Sequence, residues 1–269
     1  MIILISILAI IFYLLAALRL GMKLFNTDDT KERSLKIQSL LLGSIALFLH
    51  SIVLFRIIDI GNGLNLGFYN ALSFMSWGIS LVIVLAALQK PLENLAIIFF
   101  PVTALCIGLD IIFPSSRILT DTAPMGLRIH VLLSVFAYSL LTIAALQAVL
   151  LAIQDRQISN KNPSSIMKLP PLQEMEELLI QIIAIGFFML SLSLATGLMF
   201  LHHIVEQHLV HKAVLSILAW FIFGILLWGR WTKGWRGKKI IRWTIGGFIS
   251  LMLAYFGSKL VLEIILNRV

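Results

Sequence analysis

The sequence predicts an all-α fold, an integral membrane helical bundle with about eight transmembrane helices and both termini on the extracytoplasmic side. Three observations carry this. The 269 residues are 59% hydrophobic and only 13% charged, a balance that would leave a soluble domain of this size with an apolar surface. Eight apolar runs approach or exceed the roughly 20 residues needed to cross a bilayer. The basic residues gather in alternate connections between those runs.

Taken in order, the spans cover residues 2–20, 37–57, 66–88, 94–113, 128–153, 178–201, 213–229 and 243–264. The first, "MIILISILAIIFYLLAAL", has neither a basic leading segment nor a small-residue cleavage site, so it is expected to be a retained span rather than a signal peptide. The second carries Ser39, Gly43 and His50 on one face, where the small residues allow another helix to approach. The fourth contains Cys106, the single cysteine, which excludes an intramolecular disulfide and a CxxCH haem-attachment motif. In the fifth, His130, Ser134, Tyr138 and Thr142 recur every four residues, a polar stripe expected to face the bundle. The polar connection 154–177 ends in an amphipathic lead into the sixth span, on which Ser191 and His202, eleven residues apart, share a face. The last two spans flank "RWTKGWRGKK", expected to anchor the protein against anionic lipid.

Connections 21–36, 89–93, 154–177 and 230–242, with Arg19, hold 15 of the 21 Lys and Arg residues. The positive-inside rule assigns that side to the cytoplasm and "HHIVEQHLVHK", residues 202–212, to the opposite one. The net charge of +8 is thereby read as a topology signal, not as a nucleic-acid footprint. With no repeat and no segment able to fold outside the membrane, residues 1–269 are expected to form a single domain.

Four of the six histidines, His202, His203, His208 and His211, fall in that short stretch. His130 lies 24 residues before Gln154 and His202 lies 24 residues after Leu178, so each imidazole is expected about 36 Å above the cytoplasmic end of its helix. Two histidines at one depth on neighbouring spans can clamp a flat ligand. His50, about 21 Å above Lys36, is expected inside the membrane. Each signal has a plainer reading. A polar stripe commonly holds helices together, loop histidines can be interfacial, and a buried neutral histidine can bond a carbonyl, although an ionisable group in a span commonly marks a ligand or pathway.

Histidines without nearby Cys or paired carboxylates suit haem iron, Zn, Cu or Ni, which leaves a porphyrin or a bare ion. No HExxH, GxSxG, Walker or dinucleotide motif is present, and no bond-making chemistry is assigned. Arg128, two residues before His130, and Lys212, after His211, place positive charge where haem propionates would meet water, a position that interfacial anchors also occupy.

"HVLLSVFAYSLLTIAAL" from 130, "HKAVLSILAWFIFGILL" from 211, "GWRGKK" from 234 and "LAYFGSKL" from 253 together resemble the cytochrome c assembly (CcsA/HemX-like) family of haem-handling membrane proteins, above all its short YpjD-type members. These motifs span residues 130–260; the first half of the chain resembles the family in hydropathy only. The resemblance implies a bacterial inner-membrane protein that holds haem b non-covalently between extracytoplasmic histidines and assists cytochrome c assembly or haem handling, with apocytochrome c or other assembly proteins as partners. On these residues His130 and His202 are the expected axial ligands to haem iron, with His50, His211 and Arg128 as further haem-binding residues. The chain departs from the larger members in having no tryptophan between 201 and 212, which bears on presentation of haem to an apocytochrome rather than on haem binding. Two rival readings come from other classes. One is a divalent-metal transporter or sensor that uses the histidine loop and binds metal without a chromophore. The other is a non-catalytic membrane scaffold indifferent to histidine replacement.

Overall fold

The computed structural model describes residues 1–24, 28–58, 64–65, 67–88, 93–114, 118–119, 125–160, 171–200 and 210–254. The described chain is all-helical apart from one pair of two-residue strands. Its helices, in order, are α1 (Ile2–Leu24), α2 (Asp29–Ile58), α3 (Phe68–Ala87), α4 (Glu93–Ile112), α5 (Met125–Ser159), α6 (Leu172–Phe200), α7 (Val210–Lys233) and α8 (Lys238–Met252). The first seven are long and apolar enough to cross a membrane, so the chain is a multi-pass membrane protein. The fifteen described residues of α8 begin the expected eighth span, whose remainder lies outside the described residues.

The chain divides into two compact units, residues 1–123 and 124–269. In the first, α1 packs on α2 and α4, and α3 packs on α2 and α4. Small residues on α1, Ala9 and Ala16, are fully buried, whereas Leu4, Ile11 and Leu18 on its other faces are exposed, as suits a lipid-facing surface. α2 follows the expected stripe. The Ser39 hydroxyl donates to the Ala16 carbonyl at 2.7 Å, and a Cβ at Gly43 would stand 2.9 Å from the Phe100 ring of α4. Only glycine admits so close an aromatic neighbour. α2 begins well before its apolar run because Asp28 caps it, accepting from the Thr30 N–H at 3.0 Å and the Thr30 hydroxyl at 2.6 Å. The strands β1 (Leu64–Asn65) and β2 (Ile118–Leu119) pair antiparallel.

In the second unit α5 packs on α6 and α8, and α7 packs on α6 and α8. Tyr138 of α5 donates to the Leu251 carbonyl of α8 at 3.2 Å, and Ser250 of α8 donates to the Leu215 carbonyl of α7 at 3.0 Å. Glycines again set the close approaches: a Cβ at Gly186 would meet Leu141 at 2.9 Å, and one at Gly247 would meet Phe223 at 2.8 Å. The turn from α7 to α8 depends on Gly234 and Gly237, with φ of 62° and 56°, in the left-handed region that side chains rarely adopt. Glu176, buried near the start of α6, ties this turn down. It accepts from Arg230 at 2.7 Å and from the Gly237 N–H at 2.8 Å, with Arg236 at 3.9 Å, and Arg230 also donates to the Trp235 carbonyl at 2.9 Å.

Candidate functional site

The polar stripe of α5 faces the interior of its unit, as its four-residue period predicts. Ser134 donates to the carbonyl of His130 and lies 2.7 Å from the Ser193 hydroxyl of α6, while Thr142 bonds the Tyr138 carbonyl of its own helix at 2.7 Å. Most of the stripe therefore holds helices together. His130 differs in what it leaves available.

The Nδ1 of His130 lies 2.8 Å from the Ser193 carbonyl and 3.4 Å from the Thr196 hydroxyl. A carbonyl only accepts, so Nδ1 carries the proton and donates, and the lone pair is fixed on Nε2. That nitrogen has no hydrogen-bond partner among the described residues. The ring fits against bare backbone: a Cβ at Gly197 would stand 2.9 Å from its Cε1 and 3.8 Å from Nε2. An imidazole oriented through Nδ1 by a backbone carbonyl, with the other nitrogen unprotonated, is the form in which histidine ligates a metal.

The expected partners of His130 fall in different places. Arg128 is exposed on the same end of α5, with no ion-pair partner among the described residues. His211 is the second residue of α7. His202, His203 and His208 lie outside the described residues. The register of α5 against α6 sets Gly197 beside His130. Ser191, expected on the His202 face, turns to α7 and accepts from Trp220 Nε1 at 2.8 Å. Ser193 is the α6 serine that meets α5.

His50 belongs to the first unit and is fully buried, as its depth predicts. Its Nε2 lies 3.0 Å from the Ser73 hydroxyl, Tyr13 meets the ring edge-on at 6.0 Å, and Nδ1 has no hydrogen-bond partner among the described residues. Beyond it a polar seam joins α3 and α4: Ser80 and Thr103 lie 2.9 Å apart, and Thr103 donates to the Ser76 carbonyl at 3.3 Å. Sequence reasoning passed over Asp110, buried in α4 with one carboxylate oxygen lacking a partner among the described residues. The available signal was an acidic residue inside an apolar span. No three His, Cys, Asp or Glu side chains among the described residues are grouped to hold a metal ion.

Fold and site together define a multi-pass helical membrane protein with one part-buried histidine held through Nδ1 by a backbone carbonyl and a second buried in a polar seam. Residues 38–266 match the family model described as cytochrome C assembly protein, and the chain belongs to that family. It is 37% identical over 223 residues to the inner membrane protein YpjD of Escherichia coli K12, covering 82% of this chain and 85% of that protein. It is 24% identical over 241 residues to the cytochrome c biogenesis protein CcsA of Prochlorococcus marinus strain MIT 9515, covering 79% and 77%. A 28.8 kDa protein of Azospirillum brasilense is 31% identical over 142 residues, about half of each chain. The family match reaches well into the first half of the chain, where hydropathy alone carried the resemblance. No solved structure matches the chain.

Proposed function

We propose that this chain is a haem-binding protein of the bacterial inner membrane that assists cytochrome c assembly or haem handling as a chaperone or carrier. The observation that supports it best is His130. Its protonated Nδ1 is engaged by the Ser193 carbonyl, and its Nε2 is left with a lone pair beside the bare backbone of Gly197. Bound there non-covalently, haem b supplies an iron that accepts nitrogen axial ligands. His130 and His202 would hold the iron, and Arg128 would pair with the propionates, with His211 as a further haem-binding residue. His50 serves as a second holding point in the other unit. Family membership supports the assembly role, and the name of the YpjD relative supports the inner membrane. In this reading residues 1–269 act as one haem-handling domain, with the histidine loop outside the cytoplasm and apocytochrome c or other assembly proteins as the clients.

The test is an absorption spectrum of the gently purified protein. A Soret band is expected, lost or strongly reduced in His130→Ala and His202→Ala and retained in His203→Ala and His208→Ala, because six-coordinate haem iron takes two protein ligands. A spectrum without a Soret band after haem addition, or one unchanged by both His130→Ala and His202→Ala, overturns the proposal.

A further inference from the structure

The segment 230–242 carries six basic residues, and the structure sorts them. Arg230 and Arg236 turn to the Glu176 carboxylate, at 2.7 and 3.9 Å. Lys233 sits 5.9 Å from the centre of the Trp228 ring, and Lys239 sits 3.7 Å from that of Trp235, positions in which the aromatic face attracts the ammonium. The remaining two, Lys238 and Arg242, have neither an ion pair nor an aromatic partner among the described residues. They line one recess, of about 380 Å³, between the first turns of α8 and the last turns of α5.

The other wall of that recess brings a third cation, Arg156, which likewise has no ion-pair partner among the described residues. Ala152, Asp155, Arg156 and Ser159 follow the spacing of one face of α5, and Lys238, Ile241 and Arg242 follow that of one face of α8. Both faces open on the same space. Asp155 offsets only one of the three positive charges, and it too has no ion-pair partner among the described residues. Three exposed side chains of like sign converging on one recess repel one another unless an anion lies between them. Ala152 and the buried Ile241 supply apolar surface beside the charges.

The recess stands where the apolar run of α5 gives way to the polar residues 154–160, the level at which a spanning helix meets lipid headgroups. The ligand chemistry that fits is a phosphate ester carried on an apolar body. We infer that the recess between Arg156, Lys238 and Arg242 binds the headgroup phosphate of an acidic glycerophospholipid. This site is separate from His130 and does not depend on haem being the cargo. Its function is to hold the α5 and α8 ends together through a shared anion, as basic pockets between membrane helices do.

The experiment is native mass spectrometry of the whole protein, delipidated in a neutral detergent and titrated with phosphatidylglycerol, phosphatidylcholine or inorganic phosphate. Phosphatidylglycerol should bind in preference to phosphatidylcholine. The Arg156→Gln/Lys238→Gln/Arg242→Gln variant should weaken phosphatidylglycerol binding about tenfold or more, given the contribution of each interfacial cation. Arg156→Lys/Arg242→Lys, which keeps the charge, should retain most of it. A thermal melt of each variant without lipid confirms that the fold is intact, since all three side chains are exposed. Equal binding of both lipids, or undiminished phosphatidylglycerol binding in the Gln variant, overturns the site. Inorganic phosphate binding as tightly as phosphatidylglycerol overturns the lipid as its source.

Discussion

His130 is positioned as much by an absent side chain as by a hydrogen bond. Because a Cβ at residue 197 would stand 2.9 Å from the ring, Gly197→Ala should cost about 1–3 kcal/mol, the scale of overpacking in a filled interior. In a His130→Ala background the same change should cost much less, since the space is then open. The double-mutant cycle, measured by thermal unfolding in detergent, reports the pair directly; an additive cycle would show that the two residues do not touch. In the first unit, His50→Leu should destabilise by about 1 kcal/mol, the scale of an interhelical hydrogen bond in a membrane. His50→Asn, which can keep a bond to Ser73, should be tolerated. Haem content per folded protein separates the roles: loss in both variants with stability unchanged marks a ligand, and normal haem in both marks packing alone.

Among the elements, the turn between α7 and α8 depends on one carboxylate. Glu176→Gln leaves Arg230 without its counter-charge in a largely buried setting, and it should lower stability by about 3 kcal/mol. Arg236→Gln removes a partner at 3.9 Å whose side chain is 66% exposed, so it should change stability by less than about 0.5 kcal/mol. Comparable losses in the two variants would contradict this division. Each expected span coincides with a helix over its described residues because twenty apolar residues in a row leave few alternatives, and the α5 stripe was legible from its four-residue period. The offset between antiparallel neighbours was not. Hydropathy is blind to sliding one helix along another, and only contacts such as His130 on Ser193 and Leu141 on Gly186 reveal it. For the same reason periodicity found a face of α6 through Ser191 but could not say that Ser193 is the residue meeting α5.

At the scale of the whole molecule, composition and charge asymmetry made the membrane class and the order of the spans readable, whereas the division into two four-helix units was not. That boundary falls in a connection, residues 114–124, no more polar than others in the chain. The uneven basic residues yield an expectation for orientation. Reporter fusions after Lys161 and after Lys238 should report the cytoplasm, and fusions after Thr120 and at Val269 the opposite compartment. A cytoplasmic signal from the Val269 fusion would reverse the expected side of the histidine loop. The Glu176 tether also sets a schedule for the making of the protein. The carboxylate leaves the ribosome 61 residues before the Gly237 N–H that it binds, a gap of roughly 3–12 s at ordinary rates of synthesis. During that interval α6 has already been made while its charged end still has no docked turn. The lock of the α7–α8 turn onto α6 is therefore a late step in the assembly of the second unit, whatever earlier pairing α5 and α6 achieve.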